Sequence, residues 1–256
     1  MKYPYILEET IDYAVVFKPP KKHSVPLASS DAGQNTLLEW FAENRPSNAL
    51  PDCGLINRLD FETHGLVLFA KNNISYEYFK FLQSRDGFIK EYTAVCSSPL
   101  SDDKSLMLPG FPPPPSLSTH VPSAEKPLIV MSYFRPYGPG RKEVRPVIDD
   151  KKKYHETAKD NGSFYRTEIV DIKNDIFTVR IKRGFRHQIR CHLYWIGFPI
   201  KNDKIYSYSV AQTDNSIAAG TLALCANKLE FTDQSGLKKT IELFGNFSFR
   251  TTSIEK

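Results

Sequence analysis

The residues best suited to chemistry fall in three separated runs. The first is Asn57-Arg58-Leu59-Asp60-Phe61-Glu62-Thr63-His64-Gly65, which leads directly into the apolar run Leu66-Val67-Leu68-Phe69-Ala70. A carboxylate there lies in a loop at the mouth of a buried strand. On spacing alone, such an Asp more often satisfies nearby backbone N–H groups, and Arg58 reads as a surface charge. The second run is Lys90-Glu91-Tyr92-Thr93-Ala94-Val95. The third is Arg183-Gly184-Phe185-Arg186-His187-Gln188-Ile189-Arg190-Cys191-His192-Leu193, with Gly197-Phe198-Pro199-Ile200 behind it. One ionised carboxylate can act as a nucleophile or remove a proton, whereas glycoside hydrolysis normally needs two. Glu62 is the nearby second carboxylate, and two residues from Asp60 its direction is unconstrained.

Strands and helices must position these runs. Asp12 to Phe17 and Leu66 to Ala70 are short apolar runs stopped by Pro19-Pro20 and by Lys71-Asn72-Asn73, and both read as buried strands. Ile74, Tyr78, Phe81 and Leu82 have the spacing of one helical face, which predicts a helix over about 74–85 capped by Asn72 or Asn73. Tyr92, Ala94 and Cys96 alternate as in a strand. So do Phe177, Val179 and Ile181, with Arg180 and Lys182 on the opposite face. After Gly184, the residues Ile189, Leu193 and Ile196 fit a helix ending before Gly197, with Arg186 and Arg190 on another of its faces. Eleven of the 18 prolines lie between Pro99 and Pro146, which predicts an extended insertion at about 99–146 without long helices or central strands. The basic group Arg141, Lys142 and Arg145 within it reads as part of a solvated loop. Strands and helices without a regular βαβ repeat predict an α+β fold with a central mixed, largely antiparallel sheet and flanking helices.

The 256 residues are 41% hydrophobic and 25% charged, the composition of a globular protein, which excludes disordered, collagenous and coiled-coil classes. Cys53, Cys96, Cys191 and Cys225 stand singly, so spacing offers neither a zinc cage nor a redox motif, and reduced thiols are expected. The opening residues lack a secretory pattern, and no apolar run approaches the roughly 18 residues that cross a bilayer. A cytoplasmic, monomeric protein without membrane contact or protein partner is therefore expected. The net charge is only +5, but seven basic residues against the single acid Asp203 lie between Thr178 and Lys204. That stretch is suited to a polyanion.

Taken together and in this order, the three runs resemble the RluA-type RNA pseudouridine synthases. Their signature reads approximately H-R-L-D-x-x-T-S-G-L-L-x-x-A-K, then K-x-Y-x-A-x-V, then G-R-x-H-Q-I-R-x-H-L with G-x-P-I. The resemblance runs from Ile6, through the Lys18-Pro19 turn, to Leu222-Ala223-Leu224-Cys225-Ala226, which is similar to a closing L-x-L-H-A segment. It implies one catalytic domain over 1–256, interrupted by the proline-rich insertion, with no separate N-terminal RNA-binding module. Asp60 would be the catalytic aspartate, Tyr92 the active-site aromatic and Arg190 the cation paired with the aspartate. Arg58, Lys182, Arg183, Arg186, His187 and Lys201 would contact RNA. The implied reaction breaks the uracil's glycosidic bond, turns the base and joins its fifth ring carbon to the same sugar, with no metal or cofactor. An arginine within about 4–6 Å holds a carboxylate in its ionised form. A uridine inside folded RNA must be flipped out, and Tyr92 could stack on the extruded base while Arg58 fills the gap. Among the chain's departures from the signature, Asn57 stands for His, His64 for Ser and Cys225 for His. His64 reads as a partly exposed loop residue, and His187 and His192 as hydrogen-bonding residues of the helix. Ribosomal and transfer RNA both fit as substrate. A non-catalytic RNA-binding relative and a nucleoside hydrolase are the alternatives; the retained Asp60, Tyr92 and Arg190 argue against the first, and isomerisation, unlike hydrolysis, releases no free uracil.

Overall fold

The apolar run after Asp12 forms a strand with no exposed residue. In the computed structural model, which describes residues 3–27, 35–44, 50–97, 107–148, 164–207 and 220–243, it pairs antiparallel with a strand on either side. These three are β1 (Tyr5–Glu9), β2 (Tyr13–Lys18) and β3 (His64–Ala70). β2 and β3 are buried at every position, so both faces demand apolar side chains and the sequence shows runs instead of alternation.

The remaining elements in chain order are α1 (Leu37–Asn44), which precedes β3, then α2 (Asn73–Ser84), β4 (Ile89–Val95), β5 (Leu128–Tyr137), β6 (Glu143–Val147), β7 (Tyr165–Lys173), β8 (Ile176–Ile181), α3 (Gln188–Trp195), β9 (Leu224–Thr232) and β10 (Lys238–Glu242). They divide into two compact units, with the described residues 3–92 and 224–243 in the first and 93–223 in the second. In the first, strand order is β1-β2-β3-β9 with β10 antiparallel to β9, and the β3–β9 pairing is parallel, His64 opposite Cys225 and Gly65 opposite Ala226. In the second, the order outward from the end of β4 is β8-β7-β5-β6, with β8, β7, β5 and β6 antiparallel in turn. The expected mixed, largely antiparallel α+β architecture is present.

The first unit's core is aromatic. Phe79 of α2 meets Tyr13 and Phe231 edge-to-face at 5.9 and 5.2 Å, and Phe41 of α1 stacks on Phe69 at 4.0 Å. Edge-to-face and offset contacts suit the ring quadrupole and add about 0.5–1.5 kcal/mol beyond area burial. Asn72 caps α2 by accepting from the Ser75 backbone N–H at 2.8 Å, as expected. The buried face of this helix is not the expected stripe, however, because Ile74 and Phe81 are exposed while Ser75 and Phe79 are buried. Ser75 can be buried because its hydroxyl is engaged by Asn72 and Asp12 at 2.9 and 3.2 Å.

The proline-rich stretch is also corrected. β5 lies inside it and is an inner strand of the second unit, flanked by β6 and β7. Its prolines are accommodated by parity. In the β5–β6 ladder Pro136 faces Val144 and Pro146 faces Phe134, which are the same alternate class of pair. That class exchanges no hydrogen bonds in an antiparallel ladder, so no missing N–H interrupts it. The outward N–H of Val144 donates instead to the Tyr206 hydroxyl at 3.0 Å. The polyproline run packs as well. Trp195 Nε1 donates to the Pro112 carbonyl at 2.9 Å, and Leu108 N–H to the Tyr194 hydroxyl at 2.8 Å. Met107, Leu108 and Phe111 cover a core of Phe134, Val144, Tyr165, Cys191, Tyr194 and Tyr206.

Candidate active site

Asp60 sits in a turn closed by the Thr63 N–H donating to its carbonyl at 3.1 Å, just before β3. The backbone on either side of it is pinned from the β2–α1 segment. The buried Ser24 hydroxyl donates to the Leu59 carbonyl at 2.8 Å and accepts from the Leu59 N–H at 3.0 Å. Lys18, at the end of β2 and fully buried, donates to the carbonyls of Pro19, Lys22 and Phe61 at 3.0, 2.7 and 3.3 Å. The three N–H donors of an ammonium thus meet three carbonyls. Burial lowers the Lys18 ammonium to about 7, while the charges of Asp60 and Glu62 act to raise it. Sequence places Lys18 in the Lys18-Pro19 turn without giving it a role in the site, and does not single out Ser24. Lys18 carries the only available signal, a cation ending an otherwise apolar strand.

Tyr92 of β4 is buried, and its hydroxyl is pushed well above its ordinary range, first by burial and then by the negative charge of Asp60 and by Cys225. It therefore stays neutral at any physiological pH, and Asp60 is near enough for its charge to be felt. Next to Asp60, the exposed Phe61 ring packs against His23 with centroids 4.5 Å apart. Glu62 Oε2 and Thr63 Oγ1 are buried and have no hydrogen-bond partner among the described residues.

The strand behind the loop is set by the residues that depart from the signature. Asn57 accepts from the Leu68 N–H at 2.9 Å and donates to the Leu66 carbonyl at 3.3 Å, so its amide binds the edge of β3 as a backbone unit would. His64 is buried instead of partly exposed. As the first residue of β3 it lies against Phe17 at 6.4 Å, and burial, followed by Lys18, lowers its imidazole to about 4, which keeps it neutral at pH 7. Gly65 follows at φ +123°, where an added Cβ would lie 2.2 Å from the Ala226 carbonyl oxygen. The two strands can pair there only because position 65 has no side chain.

The expected cations differ in their settings. Arg58 is exposed and pairs with Asp52 at 2.5 Å in the first unit. The others belong to the second unit. Lys182, Arg183 and Arg186 are exposed. Lys201 pairs with Asp175 at 2.8 Å. His187 precedes α3 at φ 58°, its Nδ1 3.2 Å from the Tyr206 hydroxyl. Arg186 therefore lies outside α3 and shares no helical face with Arg190. α3 is buried at all eight positions, and Arg190 binds Asp203 through Nε and Nη2 at 2.7 and 2.8 Å. Asp203, which sequence supplied only as the lone acid of a basic stretch, is thus a partner of Arg190. His192 is held between Thr167 Oγ1 at 2.8 Å and Ser132 Oγ at 2.9 Å, and burial keeps it neutral.

The chain belongs to the RNA pseudouridylate synthase family, whose model matches residues 12–195. An uncharacterized Caenorhabditis elegans protein is 28% identical over 207 residues, 80% of this chain and 39% of that protein. Ribosomal large subunit pseudouridine synthase D of Buchnera aphidicola subsp. Acyrthosiphon pisum is 26% identical over 204 residues, 79% of this chain and 54% of that protein. The chain thus spans about half, or less, of the length of these curated relatives. Human RNA Pseudouridylate Synthase Domain Containing 1 superposes with a TM-score of 0.62 at 17% identity, over 96% of this chain and 85% of that one, and so shares its fold. Human RNA Pseudouridylate Synthase Domain Containing 4 does so with a TM-score of 0.58 at 18% identity, over 94% and 89%. Among the described residues no helix is long and apolar enough to cross a membrane.

Proposed function

We propose that this protein is a cytoplasmic, monomeric RNA pseudouridine synthase that isomerises a uridine in structured ribosomal or transfer RNA. Ribosomal RNA is supported by the name of the Buchnera relative. In the reaction the bond from the uracil nitrogen to the sugar breaks and the base turns. A carbon–carbon bond then forms to the same sugar carbon, the ring carbon loses its proton and the freed nitrogen gains one. Asp60 supplies the ionised carboxylate at the sugar–base junction. Tyr92 offers a neutral ring and hydroxyl to the base, and Arg190, oriented by Asp203, is the site's cation. Arg58 enters the gap left by the flipped uridine, while Lys182, Arg183, Arg186, His187 and Lys201 hold the RNA.

The observation that carries this reading is the pinned turn. Ser24 and Lys18 fix the backbone on both sides of Asp60, so the turn that carries the carboxylate is held before any substrate arrives, which favours positioning catalysis. Asp60→Asn keeps the shape of the side chain and removes its charge. Folding and RNA binding should persist while pseudouridine formation is lost, and turnover retained by this variant would reject the assignment.

A further inference from the structure

The cations Arg141, Lys142 and Arg145 are consecutive enough to read as one basic group, yet the fold gives them different fates. Arg145 is buried. Its Nη2 pairs with Glu143 at 2.7 Å, its Nε donates to the Pro109 carbonyl at 2.9 Å, and its guanidinium stacks on Tyr137 at 4.2 Å and Phe111 at 4.7 Å. It holds the proline-rich segment to the hairpin. Arg141 and Lys142 lie at the exposed tip between β5 and β6. The tip turns through left-handed residues, with Gly138 at φ 75°, Gly140 at φ 65° and Arg141 at φ 53°.

Arg186, from the loop that precedes α3, reaches this tip. Its Nη2 donates to the carbonyls of Arg141 at 2.5 Å and Glu143 at 3.1 Å. Those carbonyls satisfy hydrogen bonds but leave the positive charge uncompensated. Glu143, the carboxylate on the hairpin, is engaged by Arg145. Among the described residues Arg141, Lys142 and Arg186 form no ion pair. Three cations are therefore gathered on one exposed surface, where an external anion would relieve their mutual repulsion. No large apolar side chain is exposed within 138–142, as a protein-binding core would need. Two of the three are guanidinium groups, whose planar fork fits phosphate oxygens.

We propose that the β5–β6 hairpin tip, fastened to the α3 loop by Arg186, is a phosphate-binding face that grips the backbone of the substrate RNA. This rests on the reading of the protein as an RNA-modifying enzyme and adds a contact surface to it. The contact is independent of base sequence and sensitive to salt.

The test combines Arg141→Asn, which tolerates the left-handed backbone, with Lys142→Ser. Binding of a stem–loop RNA with a uridine in its loop is measured against salt in the Asp60→Asn background, so that the outcome does not depend on catalysis. Pseudouridine formation by the otherwise unaltered protein is assayed separately and judges the enzymatic reading alone. Each phosphate contact adds about 0.9 to the slope of log affinity against log salt, so the double variant should lose roughly 2 from that slope and about tenfold in affinity at moderate salt. The charge-preserving pair Arg141→Lys with Lys142→Arg should restore both. Unchanged affinity and slope in the double variant would overturn the proposal. So would competition by polyglutamate as effective as that by RNA of equal charge, which would assign the face to an acidic protein.

Discussion

The two units each hold an arginine–aspartate pair, and the pairs differ in almost everything but chemistry. Arg58 and Asp52 keep 59% and 49% of their side-chain surface exposed, whereas Arg190 and Asp203 keep 4% and 0%. An exposed pair is worth about 0–1 kcal/mol and is readily exchanged for another partner. A buried pair adds modestly when intact, but losing one member strands a charge away from water. The first arrangement suits a cation that must leave its partner to enter an RNA stack. The second suits one that must not move. Asp203 is further fixed by accepting the N–H groups of Ile205 and Tyr206 at 2.9 and 3.0 Å. Burial alone would raise its carboxyl, but the Arg190 guanidinium, with those N–H groups, holds it below the usual carboxylate range.

The largest expected effect follows from stranding the buried cation. Asp203→Asn should cost about 3–5 kcal/mol in denaturant unfolding, and a loss below 1 kcal/mol would erase the contrast between the pairs. The same contrast has a pH signature. Because the folded-state pKa of Asp203 is depressed, its stabilisation is complete above the unfolded carboxylate value of about 3.9 and is lost as pH falls through the lower folded value. Stability measured from about pH 5 downward should therefore fall less steeply in Asp203→Asn than in the parent.

An intermediate effect is expected from Lys18→Met. It leaves three carbonyls without this donor, including that of Phe61 beside Asp60, at about 1–3 kcal/mol for a buried group left unsatisfied. Turnover should fall more than RNA binding, since the turn that holds Asp60 loses one of its pins. Equal losses in both would mean that Lys18 supports the surrounding fold in general and not the Asp60 turn in particular. The smallest stability change belongs to the exposed pair. Arg58→Ala and Asp52→Ala should each stay within about 1 kcal/mol of the parent in unfolding assays. Arg58→Ala should nevertheless lower turnover on structured RNA more than on a short unstructured one, where flipping is less costly. Loss confined to binding would make it a phosphate contact.

What could be read from sequence follows from which forces act locally. β2 and β3 were legible because burial on both faces leaves an unbroken apolar run, and the start of α2 because Asn72 caps it three residues before its N–H partner. The buried face of α2 was not, since Ser75 is buried through hydrogen bonds and not through apolarity. β5 was hidden because its tolerance of proline depends on which class of ladder pair each proline occupies, and the register with β6 sets that. Asp60, Tyr92 and Arg190 stood out by motif. Their supports did not, because Lys18, Ser24 and Asp203 reach their targets across 43, 35 and 13 residues of chain.

The parallel register of β3 and β9 sets His64 against Cys225. Read along the chain, these are two separate mismatches to the signature, a serine replaced by histidine and, far downstream, a histidine replaced by cysteine. Read across the ladder they form one location, in which the imidazole has changed strands. Remote relatives scored motif by motif are thus charged twice for a single exchange, and a comparison that weighs ladder neighbours jointly ranks such a chain nearer to its kin than its linear identity suggests.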